Sequence, residues 1–117
     1  TLWHRANGAD SMRELLARGA SFDAVFGLND TLALGAMRVL QEAGRQIPDD
    51  VAVIGFDGLD EAKYSIPSLT TVDPGREWIA RPAVSTLLER IAGTPDPAPR
   101  TMLADFRILD RESAPSA

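Results

Sequence analysis

Apolar positions in this chain switch between short continuous runs and stripes at helical spacing, and that switching predicts its elements. Ala24 to Leu28 is an apolar run that stops at Asn29-Asp30. Thr31 to Ala43 follows with a helical pattern, and Val51 to Phe56 is a second run that stops at Asp57. A helix that joins two neighbouring strands of one sheet makes them parallel. Asn29 and Asp57 then project from the same edge, and ligands of open parallel sheets bind in the crevice beyond that carboxyl edge.

The flanking segments extend the pattern. Ala9, Met12, Leu15 and Leu16 predict a helix from about Gly8 to Arg18, with Asn7 as its N-cap and Gly19 as its stop. Leu32, Ala33, Ala36, Met37 and Leu40 form one face of the central helix, capped by Asn29 or Asp30, while Leu34 and Val39 widen the apolar surface. A helix so apolar is expected to have cover beyond its sheet, and the face around Leu34, Met37, Arg38 and Gln41 is the candidate contact with a second subunit. Val51 to Phe56 reads as a strand buried on both faces. Leu59 to Tyr64 reads as a short acidic turn or helix, and Leu69 to Val72 as a β-branched third strand.

Beyond Asp73-Pro74-Gly75, Arg76 to Ala92 carries Ile79, Ala83, Val84, Leu87, Leu88 and Ile91 in helical register. Pro82 is expected to kink that helix or to make Arg81 its start. Gly93 to Pro99 reads as a stiff linker. Thr101 to Leu109 reads as a last strand, with Met102, Ala104, Phe106 and Ile108 facing one way and Asp105 and Arg107 the other. No internal repeat is present.

Composition narrows the function. With 117 residues and 44% hydrophobic content the chain fits one globular domain. No apolar run is long enough to span a membrane. The chain begins at Thr1 rather than Met, so the natural start is expected upstream. The absence of cysteine excludes disulfides and thiolate metal sites. A net charge of −5 without a Lys/Arg cluster argues against a nucleic-acid surface, so any contact with DNA lies outside these residues.

The chemistry concentrates at the two strand ends. A carboxamide donates and accepts hydrogen bonds and a carboxylate accepts several, so Asn29 and Asp57 together suit a polyol, a sugar or a ribose. The alternative is that Asn29 only caps a helix and Asp57 only starts a turn. An exposed Trp3 could stack on a sugar ring or a base, or else belong to the core. Catalysis lacks its parts: His4 is the single histidine, no serine sits in a nucleophile elbow, and no phosphate-binding glycine loop is present. Asp57-Gly58-Leu59-Asp60-Glu61 lacks the ligand alternation of a calcium loop. No cofactor or metal is expected.

The order and spacing of several stretches resemble the C-terminal part of the lactose-repressor/galactose-repressor (LacI/GalR-type) family of bacterial transcription regulators. They are Phe22-Asp23-Ala24-Val25-Phe26 leading to Asn29-Asp30, Ala33-Leu34-Gly35-Ala36-Met37-Arg38, and Ile47-Pro48-Asp49-Asp50 continuing through Asp57. Pro67-Ser68-Leu69-Thr70-Thr71-Val72 and the terminal Arg111-Glu112-Ser113 complete the set. The resemblance runs from Trp3 to about Ser113.

It implies an α/β, periplasmic-binding-protein-like (type I) three-layer sandwich, present as a C-terminal fragment of an effector-binding and dimerisation domain. It further implies a small effector, a sugar or nucleoside-like compound, clamped between two lobes. By resemblance, Asn29 and Asp57 bind the effector and Trp3 stacks on it. Leu34, Met37, Arg38, Gln41, Tyr64 and Ile66 fall in a homodimer interface. Residues from about 76 to 100 pack on an N-terminal lobe, and a helix–turn–helix head that meets operator DNA would precede Thr1 with that lobe. A cytoplasmic location and no catalysed reaction follow. A periplasmic sugar-binding protein of the same fold is the alternative. Two departures stand out: Gly58 where an aspartate is common, and Pro82 inside a usually continuous helix.

Overall fold

The computed structural model describes residues 3–93 and 98–116. Four strands form one sheet in the order β1-β2-β3-β4, comprising β1 (Ala24–Phe26), β2 (Ala52–Phe56), β3 (Thr70–Asp73) and β4 (Arg107–Leu109). β1, β2 and β3 are mutually parallel, with Val25 beside Val53 and Gly55 beside Thr71. β4 runs antiparallel to β3, with Ile108 opposite Val72. The crossovers are α2 (Asp30–Glu42) and the short α3 (Asp60–Tyr64); α1 (Arg5–Ala17) precedes β1, and α4 (Arg76–Ile91) links β3 towards β4. The α/β reading with a parallel-dominated sheet holds.

The core lies between α2 and the sheet and extends to α1. It contains Met12, Ala33, Ala36, Met37, Val39, Leu40, Val51, Val53, Ala62 and Leu69. Two glycines let α1 and α2 cross at close range. A Cβ on Gly8 would lie 2.1 Å from the Leu32 carbonyl oxygen, and one on Gly35 would lie 1.9 Å from that of Arg5. At both positions, only hydrogen leaves room for the opposing backbone.

Several expectations are corrected. α1 starts at Arg5 rather than Gly8, because Asn7 acts from inside the first turn: its Oδ1 accepts the His4 N–H at 3.2 Å. Gly19 does close the helix, with φ 66°. β2 is not buried on both faces; Val53 and Gly55 are buried while Ala52, Ile54 and Phe56 are half-buried. The last strand shrinks to Arg107–Leu109, because β3 ends at Asp73, the partner of Arg107, and offers no ladder to residues 101–106. α4 passes through Pro82 from its true start at Arg76, so Arg81 is not the first residue. Of the linker, Thr94 to Pro97 lie outside the described residues.

The terminal Arg-Glu-Ser stretch fastens the amino ends of β2 and β3. Buried Ser113 donates from Oγ to the Val53 carbonyl at 2.6 Å and accepts the Thr70 N–H at 2.8 Å. Glu112 accepts both the N–H and the hydroxyl of Ser68, and these bonds hold its carboxyl below the usual glutamate range. Arg111 donates to the Leu69 carbonyl at 2.9 Å.

α4 is a different case, with no buried residue at all. Trp78, Ile79, Val84, Leu87, Leu88 and Ile91 are all exposed, as are Met102, Leu103 and Phe106 in the segment beside it. The radius of gyration is 18.3 Å, against about 13 Å for a compact domain of this length. The excess reflects an arm built from α4 and residues 98–106, which reaches away from the sheet.

Candidate functional site

The carboxyl ends of β1 and β2 meet the N-terminus of α2. Asn29 is the N-cap: its Oδ1 accepts the Leu32 N–H at 2.8 Å and its Nδ2 donates to the Trp3 carbonyl at 3.2 Å. Thr31 Oγ1 lies within reach of the same Trp3 carbonyl and of Asn29 Oδ1, and its single proton serves one of them. Trp3 is thus tied by its backbone to the start of α2, and half of its surface is exposed. The structure brings Trp3 and Asn29 together, and Asn29 does cap the helix.

Asp57 follows β2 directly. Its N–H donates to the Val72 carbonyl at 2.9 Å, while its carboxylate has no hydrogen-bond partner among the described residues. Its φ of 116° is the single positive value found at a non-glycine residue among them. An aspartate held there costs about 1–3 kcal/mol, and such conformations concentrate at functional sites. Gly58 follows with φ 65°, and a Cβ there would come within 3.1 Å of the Asp73 Cβ, so glycine suits the position.

Asp30 ties the two strand ends together, a role that sequence reasoning missed. It is fully buried at the first position of α2. One carboxylate oxygen accepts the Leu59 N–H at 2.7 Å and the other accepts the Thr71 hydroxyl at 2.5 Å. Burial pushes its carboxyl above the ordinary aspartate value, and the nearby charge of Asp57 adds to the rise. The hydrogen bonds from Thr71 and Leu59, and the positive charge of Arg111, oppose it. In the sequence Asp30 reads only as a helix-start residue and Thr71 only as a strand former; nothing local announces that they pair across 41 positions.

Elsewhere, a hollow of about 360 Å³ is lined by Asp73, Arg76, Trp78, Asp105 and Arg107 among others. Asp73 sits in its wall, paired with Arg107 at 2.9 Å. A larger one of about 670 Å³ opens between α4 and residues 99–105. Among the described residues no group of His, Asp and Glu could hold a metal ion, and no helix is long and apolar enough to cross a membrane.

The residues expected at a subunit contact are divided. Gln41 Nε2 donates to the Ile66 carbonyl at 2.6 Å, which sets α2 beside the end of α3 and the loop after it, where Tyr64 and Ile66 are 75% and 86% exposed. Arg38 is exposed and paired with Glu42, and Leu34 is half-buried against the core. Met37 is 3% exposed and packs in this chain's own core.

The family model for the periplasmic binding protein-like domain matches residues 1–114. The chain belongs to that family. The HTH-type transcriptional regulator CelR of Thermobifida fusca is 38% identical over 107 residues, which are 92% of this chain and 31% of CelR. A putative LacI-family regulator from Sanguibacter keddieii superposes with TM-score 0.92 at 52% identity, over 96% of this chain and 43% of that one. The complex of CelR with cellobiose gives TM-score 0.86 at 37% identity, over 95% of this chain and 34% of that one. A LacI-family regulator from Enterococcus faecium with bound ribose gives 0.86 at 33%, over 98% and 42%. The resemblance to LacI-type regulators therefore holds. The chain spans about a third of the length of CelR and corresponds to the C-terminal part of such proteins. The periplasmic solute-binding alternative is not favoured by relatives that are transcription regulators.

Proposed function

We propose that this chain is the effector-sensing and dimerising part of a cytoplasmic LacI-type transcription regulator, and that its effector is a sugar. The observation that carries the reading is Asp57: a carboxylate on a strained backbone after a parallel strand, on the same sheet edge as the Asn29 cap that holds Trp3. Asp57 accepts sugar hydroxyls, Asn29 adds a carboxamide, and the Trp3 indole stacks on the ring. Sugars bound to related regulators support the ligand class. No reaction is catalysed; effector binding shifts a balance between two domain arrangements that operator DNA reads through a head outside this chain.

Two surfaces complete the proposal. Leu34, Arg38, Gln41, Tyr64 and Ile66 meet a second copy, and double substitution of Leu34 and Arg38 with Glu converts dimers to monomers in sedimentation. An unchanged dimer would refute that interface. The apolar arm of α4 with residues up to about 100 packs on the N-terminal lobe of the full-length regulator, which is how its exposed Trp78, Ile79 and Leu87 become covered. Calorimetric titration of the full-length protein with cellobiose, ribose, hexoses and purine nucleosides tests the site. Binding of one sugar, weakened more than about tenfold by Asp57→Ala, is expected. Sugar affinity indifferent to Asp57→Ala would overturn the assignment.

A further inference from the structure

We infer that Asp30 and Thr71 are positioning residues for effector binding: they hold the Asp57-Gly58-Leu59 turn in the conformation that presents the Asp57 carboxylate. The inference rests on the reading of Asp57 as an effector contact, and its test separates the two.

Three hydrogen bonds carry it. Asp30 accepts the Leu59 N–H at 2.7 Å and the Thr71 hydroxyl at 2.5 Å, and Thr71 Oγ1 in turn accepts the Gly58 N–H at 3.3 Å. The two amides that follow Asp57 therefore end on one buried pair, drawn from α2 and β3. The fit is close: a Cβ on Gly55 would lie 2.3 Å from Asp30 Oδ1, so the strand that leads into Asp57 leaves room for the carboxylate by lacking a side chain there. Asp30 follows Asn29 in sequence, so one peptide fixes both the cap at the end of β1 and the turn at the end of β2. An unfavourable φ of 116° persists when its surroundings over-determine it, and these bonds supply that determination. Asp57's own side chain takes no part in the network, which leaves it available to a ligand.

A merely structural pair would lower stability and affinity irrespective of Asp57. A positioning pair acts on affinity through Asp57, so its effect vanishes once Asp57 is gone. The experiment is a double-mutant cycle in the full-length protein, read by calorimetric titration with cellobiose and ribose. Thr71→Val is expected to weaken binding of the bound sugar roughly tenfold, Thr71→Ser to restore it, and Thr71→Val in an Asp57→Ala background to have no further effect. Asp30→Asn is the second entry to the cycle and is expected to follow Thr71→Val. Amide hydrogen exchange in the ligand-free protein gives an independent readout, with faster exchange at Gly58 and Leu59 in Thr71→Val and protection regained in Thr71→Ser. Equal losses in both backgrounds, or unchanged exchange at both amides, would overturn the positioning role. Unchanged affinity in Asp57→Ala alone, or no binding of cellobiose, ribose or any of the hexoses to the wild-type protein, would instead overturn the sugar-site reading beneath it.

Discussion

Replacing Gly35 by alanine sets two known effects against each other, and the geometry decides between them. In a helix interior, alanine is favoured over glycine by about 1 kcal/mol. Gly35, however, faces the backbone of α1: the new Cβ would sit 1.9 Å from the Arg5 carbonyl oxygen and 2.9 Å from the Ala9 nitrogen. Neither atom belongs to a flexible side chain, so no rotamer change relieves the clash. The helices must separate by about 1 Å, and a gap of that size forfeits a quarter to a half of the dispersion energy across the crossing. Ala9, Met12, Leu15 and Leu16 of α1 belong to or pack against the core that the crossing helps to close. Overpacking of this kind costs about 1–3 kcal/mol, with rigid backbone neighbours at the upper end, which leaves a net loss of about 2 kcal/mol after the propensity gain. Urea unfolding of the full-length protein, followed by circular dichroism, measures the difference. Gly19→Ala is the control, because nothing lies within 4 Å of its added Cβ and only its φ of 66° is at stake, worth about 1–2 kcal/mol. A Gly35→Ala protein as stable as wild type, or more so, would refute the steric argument.

Other expectations follow from the same contacts. Ser113→Ala leaves the Thr70 N–H and the Val53 carbonyl without their buried partner, and a loss of about 2–3 kcal/mol in urea unfolding is expected. Asp57→Gly relieves the backbone strain at φ 116° and should raise the unfolding midpoint while abolishing sugar binding; a fall in both would mean that Asp57 is structural. Glu112 has a depressed carboxyl pKa through its bonds to Ser68, so its stabilisation is present above the ordinary glutamate value and lost as pH falls through the folded one. Glu112→Gln should therefore flatten the acid limb of the stability profile below about pH 4.3, read by urea midpoints across that range. Asp30 has the opposite sign: its raised carboxyl favours the fold when protonated, and that contribution fades as pH rises through the folded value.

The order and type of nearly every element were legible along the chain, because apolar period, glycine stops and strand-ending polar residues are local signals. The sequence also placed Asn29 and Asp57 on one sheet edge, since a strand–helix–strand unit permits only parallel neighbours. The extent of the last strand was beyond it: the alternation of Met102, Ala104, Phe106 and Ile108 is genuine, but a strand forms only where a partner offers a ladder, and β3 stops at Asp73. The direction in which Met37 faces was likewise hidden, because an all-round apolar helix does not say which side meets its own core. Tertiary structure alone decided the roles of Asp30, Thr71 and Ser113. Their hydrogen-bond partners lie 13 to 60 positions away, and polar side chains remain buried there only because folding closes those distances.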